Sequence, residues 1–132
     1  MHPSLDIQGS VATITLQNPD LANRLNVEDL EVIQNHIQTV NANPNILVLK
    51  LQSTGHYFCS GFDISSLQQD AEEKSLLFEV IVNAFEDCRP ITVAILQGGV
   101  YGGATDLALA CDFRIGSTAA EMFMPAAKLG IH

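Results

Sequence analysis

The chain has 132 residues, 47% of them hydrophobic, and a formal net charge of −9 from 15 acidic and 6 basic residues. That length suits one domain with a real core, while the acidic balance excludes a nucleic-acid binder, which needs clustered cations. No apolar run approaches the ~18 residues of a membrane-spanning helix and no basic, apolar leader opens the chain, so the expected setting is cytoplasmic, with no membrane partner.

In chain order, Leu5 to Leu16 alternates as a hairpin around Gly9 and Ser10, with VATITL as its second strand. Asn26 is placed to cap a helix whose apolar residues Val27, Leu30, Ile33, Ile37 and Val40 fall on one stripe, and Pro44 lies just beyond its end. The run ILVLKL, Ile46 to Leu51, reads as a strand leading into the glycine turn of HYFCSGFDISSL, His56 to Leu67. Ser65 and Ser66 have the look of a helix cap there. Leu76, Leu77, Val80, Ile81, Ala84, Phe85 and Cys88 mark a second amphipathic helix. Pro90 then precedes an apolar run, Ile91 to Leu96, read as a strand buried on both faces. After the glycines of GGVYGGATDLALACDF, Gly98 to Phe113, small and straight-chained residues predict a third helix starting at Gly102 or Gly103. Strands alternating with helices indicate the α/β class, without linkers or repeats.

The chemistry is expected where the two glycine turns meet. A helix start presents backbone amides without intrahelical partners at the positive end of the helix dipole, which favours an anion or an oxygen that becomes one. Glycine lets that oxygen approach closely. If the Ile46 and Ile91 strands are parallel neighbours, both turns lie at the carboxyl edge of one sheet, and two converging amides form an oxyanion hole. The glycine spacing of GGVYGG does not match GxGxxG, and no GxSxG elbow supports a nucleophilic serine.

Taken together, these stretches resemble the crotonase superfamily, the enoyl-CoA hydratase and isomerase family. FCSGFDI is similar to the family's first oxyanion segment, which implies that Phe62 donates its backbone amide, with Ser60, Gly61, Asp63 and Ile64 around the substrate. GGATDLALACDF is similar to the second, which implies Gly103 as the other donor, preceded by Gly102. ANRLN, Ala22 to Asn26, resembles the segment that contacts coenzyme A and makes Arg24 the candidate for its nucleotide; a solvated surface charge is the alternative. MFMPAAKLGI resembles the stretch just after the active-site strand.

The implied substrate is an acyl-CoA thioester whose enolate the hole stabilises. Coenzyme A enters as part of that substrate, and no further cofactor is expected. Family hydratases use two glutamates; this chain has Asp106 at the first position and Ala126, after Pro125, at the second. One carboxylate points to isomerase or lyase chemistry, with Asp106 as base. An acidic residue meeting the helix dipole is the other reading of Asp106, and a catalytically silent acyl-CoA-binding or interaction module the other reading of the chain. The resemblance implies a crotonase-like (ClpP/crotonase) ββα spiral: a single core domain over residues 1–132, truncated at the C-terminus, with the C-terminal helical region absent and homo-oligomers, trimer-based in the family, as expected partners. Tyr57, Tyr101 and His56 flank the turns. Cys59, Cys88 and Cys111, an odd number in apolar patterns, read as reduced thiols, and His2, His36, His56 and His132 lack metal-ligand spacing, so no metal is expected.

Overall fold

The computed structural model describes residues 1–62, 71–116 and 121–123. The elements are β1 (Ser4–Gln8), β2 (Val11–Leu16), α1 (Val27–Ala42), β3 (Val48–Ser53), β4 (Tyr57–Cys59), α2 (Ala71–Glu86), β5 (Ile91–Leu96), β6 (Gly99–Tyr101), α3 (Ala104–Ala110), β7 (Phe113–Gly116) and β8 (Glu121–Phe123), with a 3-10 turn at Pro19–Leu21. They form a five-stranded sheet in the order β1-β2-β3-β5-β7 and a three-stranded sheet in the order β4-β6-β8. Asp63, Ile64, Ser65, Ser66, Pro125, Ala126 and His132 lie outside the described residues.

The expected hairpin is present, β1 pairing antiparallel with β2 through a two-residue turn in which Gly9 has φ +61°. Every other pairing in both sheets is parallel. Helix α1 begins where its cap was expected. The Asp29 amide donates to Asn26 Oδ1 at 2.8 Å and the Asn26 amide donates to Asp29 Oδ2 at 3.0 Å, so both orphan donors are satisfied reciprocally. Its other end is held by Arg89, whose guanidinium donates to the carbonyls of the C-cap Asn43 and of Ile46 beyond it at 2.7 and 2.8 Å, and to the helix carbonyl of Val40 at 3.4 Å. Asp112 does similar work between α3 and β5: it accepts from the Thr92 amide at 2.9 Å, and its own amide donates to Thr92 Oγ1 at 2.9 Å.

The core lies between the helices and one face of the larger sheet. Leu30, Ile33, Ile37 and Val40 from α1 pack with Ala12, Ile14, Leu49, Leu51 and Ala94 from the strands, all buried. Burying each large aliphatic side chain contributes about 1.5–3 kcal/mol. Two expectations are corrected here. The β5 strand is buried on one face only: Thr92, Ala94 and Leu96 point inward, whereas Ile91 is 50% exposed. Its run is apolar because the outward side continues an apolar strip onto Phe113 and Ile115 of β7, register neighbours of Val93 and Ile95, and not because both faces are covered. On α2 the buried stripe is Phe78, Ile81 and Phe85, while Leu76 and Val80 are 62% and 45% exposed, so the helix is rotated from the face that apolar content suggested.

Strands β3 and β5 pair in parallel from Val48↔Ile91 to Leu51↔Ala94, so both leave the sheet at the same edge. Each then turns a corner into a three-residue strand of the second sheet, and β4 and β6 pair again, Tyr57 with Gly99 and Cys59 with Val100. The corners touch. A Cβ at Gly98 would overlap the carbonyl oxygen of His56, which is backbone and cannot swing aside. Gly98→Ala is therefore expected to cost at least the ~1–3 kcal/mol of ordinary overpacking, read as a lowered urea midpoint at unchanged m-value.

Candidate functional site

Beyond β4 and β6 the chain turns twice through glycine, at Gly61–Phe62 and at Gly102–Gly103, and the two turns meet. A Cβ on Gly61 would lie 3.7 Å from the Gly103 backbone nitrogen, and one on Gly103 would lie 3.7 Å from Cδ1 of Phe62. The site therefore sits at the carboxyl edge of the small sheet, one short strand further along each chain than the sequence suggested.

The first turn is held by hydrogen bonds that leave one amide over. Gly61, with φ +104°, directs its amide back to the Cys59 sulfur at 3.4 Å, and its carbonyl accepts from the Leu25 amide at 2.9 Å. Leu25 and Phe62 form an isolated parallel bridge. The Phe62 amide donates no hydrogen bond among the described residues. Phe62 is only partly buried, so that amide presents a donor that an outside oxygen can meet.

The second turn has Gly102 at φ +56° and Gly103 as the N-cap of α3. The amides of Thr105 and Asp106 are already used, donating to the carbonyls of Gly102 and Gly103 at 3.1 and 3.0 Å. The expectation of a set of free first-turn amides is therefore narrowed. Gly103 and Ala104 alone in that turn donate to no acceptor among the described residues, because a tight start to a seven-residue helix consumes the others. Asp106 lies in the first turn of α3 and is exposed. It opens into a groove of ≈280 Å³ between α2 and α3, with Glu79, Val82, Glu86, Leu109 and Ala110 as the other lining residues. The Thr105 hydroxyl is buried and has no hydrogen-bond partner among the described residues.

The ANRLN segment is fixed against the first turn by Asn23. That residue is buried at φ +56° and its side-chain amide donates to the carbonyls of Thr54 and Tyr57 at 2.7 and 2.9 Å, while its Oδ1 accepts from the Asn18 amide at 2.9 Å. Arg24 follows, exposed, next to the Leu25–Phe62 bridge. Ser60 lies alongside, its hydroxyl 3.5 Å from the Leu21 carbonyl. Arg24, Ser60, Gly61, Phe62, Gly102, Gly103 and Asp106 thus lie around one pair of turns. Tyr57 and Tyr101 pair with each other instead, ring centroids 5.9 Å apart on the small sheet, and His56 is exposed at the corner.

Phe78 and Asn23 are contributors that sequence reasoning passed over. The Phe78 ring stacks on Phe62 with centroids 4.8 Å apart and planes at 26°. Its signal was available in the spacing Phe78, Ile81, Phe85, an i, i+3, i+7 stripe. Asn23 gave none, because an asparagine beside a turn reads as exposed loop.

Among the described residues no helix is long and apolar enough to cross a membrane, and no group of three or more His, Cys, Asp and Glu side chains is placed to hold a metal. The sequence matches the Enoyl-CoA hydratase/isomerase family over residues 6–132. It is 30% identical over 125 residues to the enoyl-CoA hydratase AFT6-1 of Alternaria alternata, covering 94% of this chain and 42% of that protein. It is 26% identical over 121 residues to the peroxisomal Delta(3,5)-Delta(2,4)-dienoyl-CoA isomerase of Arabidopsis thaliana, covering 80% and 44%. The fold superposes on the crystal structure of an enoyl-CoA hydratase/carnithine racemase from Magnetospirillum magneticum with a TM-score of 0.86 at 26% identity, over 98% of this chain and 51% of that one. The chain spans about half the length of the relatives it matches.

The three cysteines are free. Burial pushes the thiols of Cys59 and Cys111 from the ordinary 9.0 up to about 12, and it raises Cys88 as well, where Arg89 partly opposes it. Near pH 8 a thiol reagent should therefore modify half-buried Cys88 first and leave the other two until the protein unfolds. The unfolded chain releases these protons near pH 9 and the folded chain does not. Their contribution to stability is full below about pH 9 and is lost as pH rises towards about 12, a decline to be followed by urea unfolding across that window.

Proposed function

The chain belongs to the enoyl-CoA hydratase/isomerase family, and on that basis we propose that its two turns form an acyl-CoA site in which the thioester oxygen sits between the backbone amides of Phe62 and Gly103. The observation that carries this reading is their apposition: the two turns touch, and neither amide donates to an acceptor among the described residues.

The chemistry follows from where charge moves. Removing a proton beside the thioester carbonyl pushes an electron pair onto its oxygen, and two preorganised donors stabilise that enolate more than they stabilise the neutral carbonyl. Each donor of this kind is worth about 2.7–4 kcal/mol of barrier. Asp106, three residues after Gly103 in the first turn of α3, is the base in this reading. Ala126 after Pro125 has no proton to exchange, so a single carboxylate takes the proton from one carbon and returns it at another, or assists cleavage of a C–C bond. Isomerase or lyase chemistry accordingly ranks above hydration by two carboxylates.

Arg24 supplies local positive charge for the nucleotide phosphates on a chain of net charge −9. What supports this role is that Arg24 directly follows Asn23, which clamps the segment to the β3–β4 corner, and directly precedes Leu25 of the bridge to Phe62. Self-association into homo-oligomers remains part of the proposal.

The test is incubation with a panel of enoyl-CoA and β-ketoacyl-CoA thioesters, with binding and products followed by mass spectrometry. Asp106→Asn should lower turnover by about 10²–10⁴-fold while leaving thioester binding within a few-fold. Unchanged turnover in that variant removes the base role, and binding without any product favours a silent acyl-CoA module.

A further inference from the structure

We propose that Phe78 is a specificity-determining residue of the acyl site, shielding the pair of turns from the apolar stretch of the α2–α3 groove formed by Val82, Leu109 and Ala110, and so restricting the site to short acyl groups. This rests on the acyl-CoA reading above.

Phe78 is 6% exposed and stacks on Phe62, ring centroids 4.8 Å apart. Its ring edge also covers Gly103: a Cβ there would meet Phe78 Cε1 at 3.0 Å and Cζ at 3.1 Å. The space beside Gly103 is therefore filled by two aromatic side chains. A thioester oxygen held at hydrogen-bond distance, about 3 Å, from the Gly103 amide brings the first acyl carbons into the same shell around this glycine. Short acyl groups fit beside these ring edges, and a longer chain needs somewhere further to go.

An open groove runs between α2, which carries Phe78, and α3, which Gly103 caps. The neighbours of Phe78 on α2, Glu79 and Val82, line the ≈280 Å³ groove together with Asp106, Leu109 and Ala110 of α3. Phe78 itself does not line the groove, because its ring turns the other way, onto Gly103 and Phe62. Truncating the ring is expected to give a longer acyl chain a path from the turns along Val82, Leu109 and Ala110.

The experiment is calorimetric titration of the chain with butyryl-CoA and octanoyl-CoA, saturated thioesters that have no double bond to hydrate, with free coenzyme A as baseline. The wild type should prefer butyryl-CoA. Phe78→Ala should shift the butyryl-to-octanoyl affinity ratio towards octanoyl by about tenfold or more, the effect of pocket size on apolar substrates. Phe78→Leu, which keeps an apolar group in the core, should shift it in the same direction by less, and it carries the test if the alanine variant does not fold. An unchanged ratio in a folded variant, with wild-type butyryl-CoA binding intact, overturns the role of Phe78. Failure of the wild type to bind either thioester more tightly than coenzyme A overturns the acyl-CoA reading and this inference with it.

Discussion

The parallel pairing of β3 with β5 is the constraint on which the site depends. Parallel neighbours send their chains out at the same edge, so the two connections must leave side by side. Each connection then makes one corner and one short strand, and the pairing of β4 with β6 repeats the same logic on a smaller scale. By the time the chains reach Gly61 and Gly103 they have been kept adjacent through two successive sheets. Slippage of the first register by one residue would invert the inward set Thr92, Ala94 and Leu96 against Ile91, Val93 and Ile95, and would carry the second turn away from the first.

Much of this was readable in advance where a physical signal repeats over many residues. The Asn26 cap and the stripe of Leu30, Ile33, Ile37 and Val40 are helix-length patterns, and α1 follows them closely. Strands β4 and β6, three residues each, are too short to display a period, and β6 contains a glycine, which strands disfavour. Their absence from the sequence reading placed the two glycine turns one short strand too early along each chain. The β5 error has a different origin: apolar content reports what a residue tolerates, and the exposed strip of Ile91, Phe113 and Ile115 shows that it does not report what covers it.

The components of the site also differed in legibility. Glycine turns announce themselves through composition, and the family resemblance orders their roles. Phe78 acts through space, from a helix on the far side of the intervening segment, and its stripe looks like ordinary core. Asn23 spends its polar atoms on backbone carbonyls of the β3–β4 connection, so its function is to replace a turn's missing hydrogen bonds, which composition cannot reveal. Both residues were hidden because their contacts are with partners distant in sequence.

The amides of Phe62 and Gly103, which donate to no acceptor among the described residues, belong to the backbone, and this gives the proposed oxygen site a genetic consequence. Every amino acid except proline carries the same N–H, so the groups proposed to meet a ligand oxygen are invisible to a conventional alanine scan. Such a scan would report the glycines as steric defects and Phe62 as a packing residue, and would assign the chemistry to whatever side chains remained. Drift can therefore replace many of the side chains around these turns so long as the corners still close, which lets one scaffold change its reaction while keeping the proposed oxygen site.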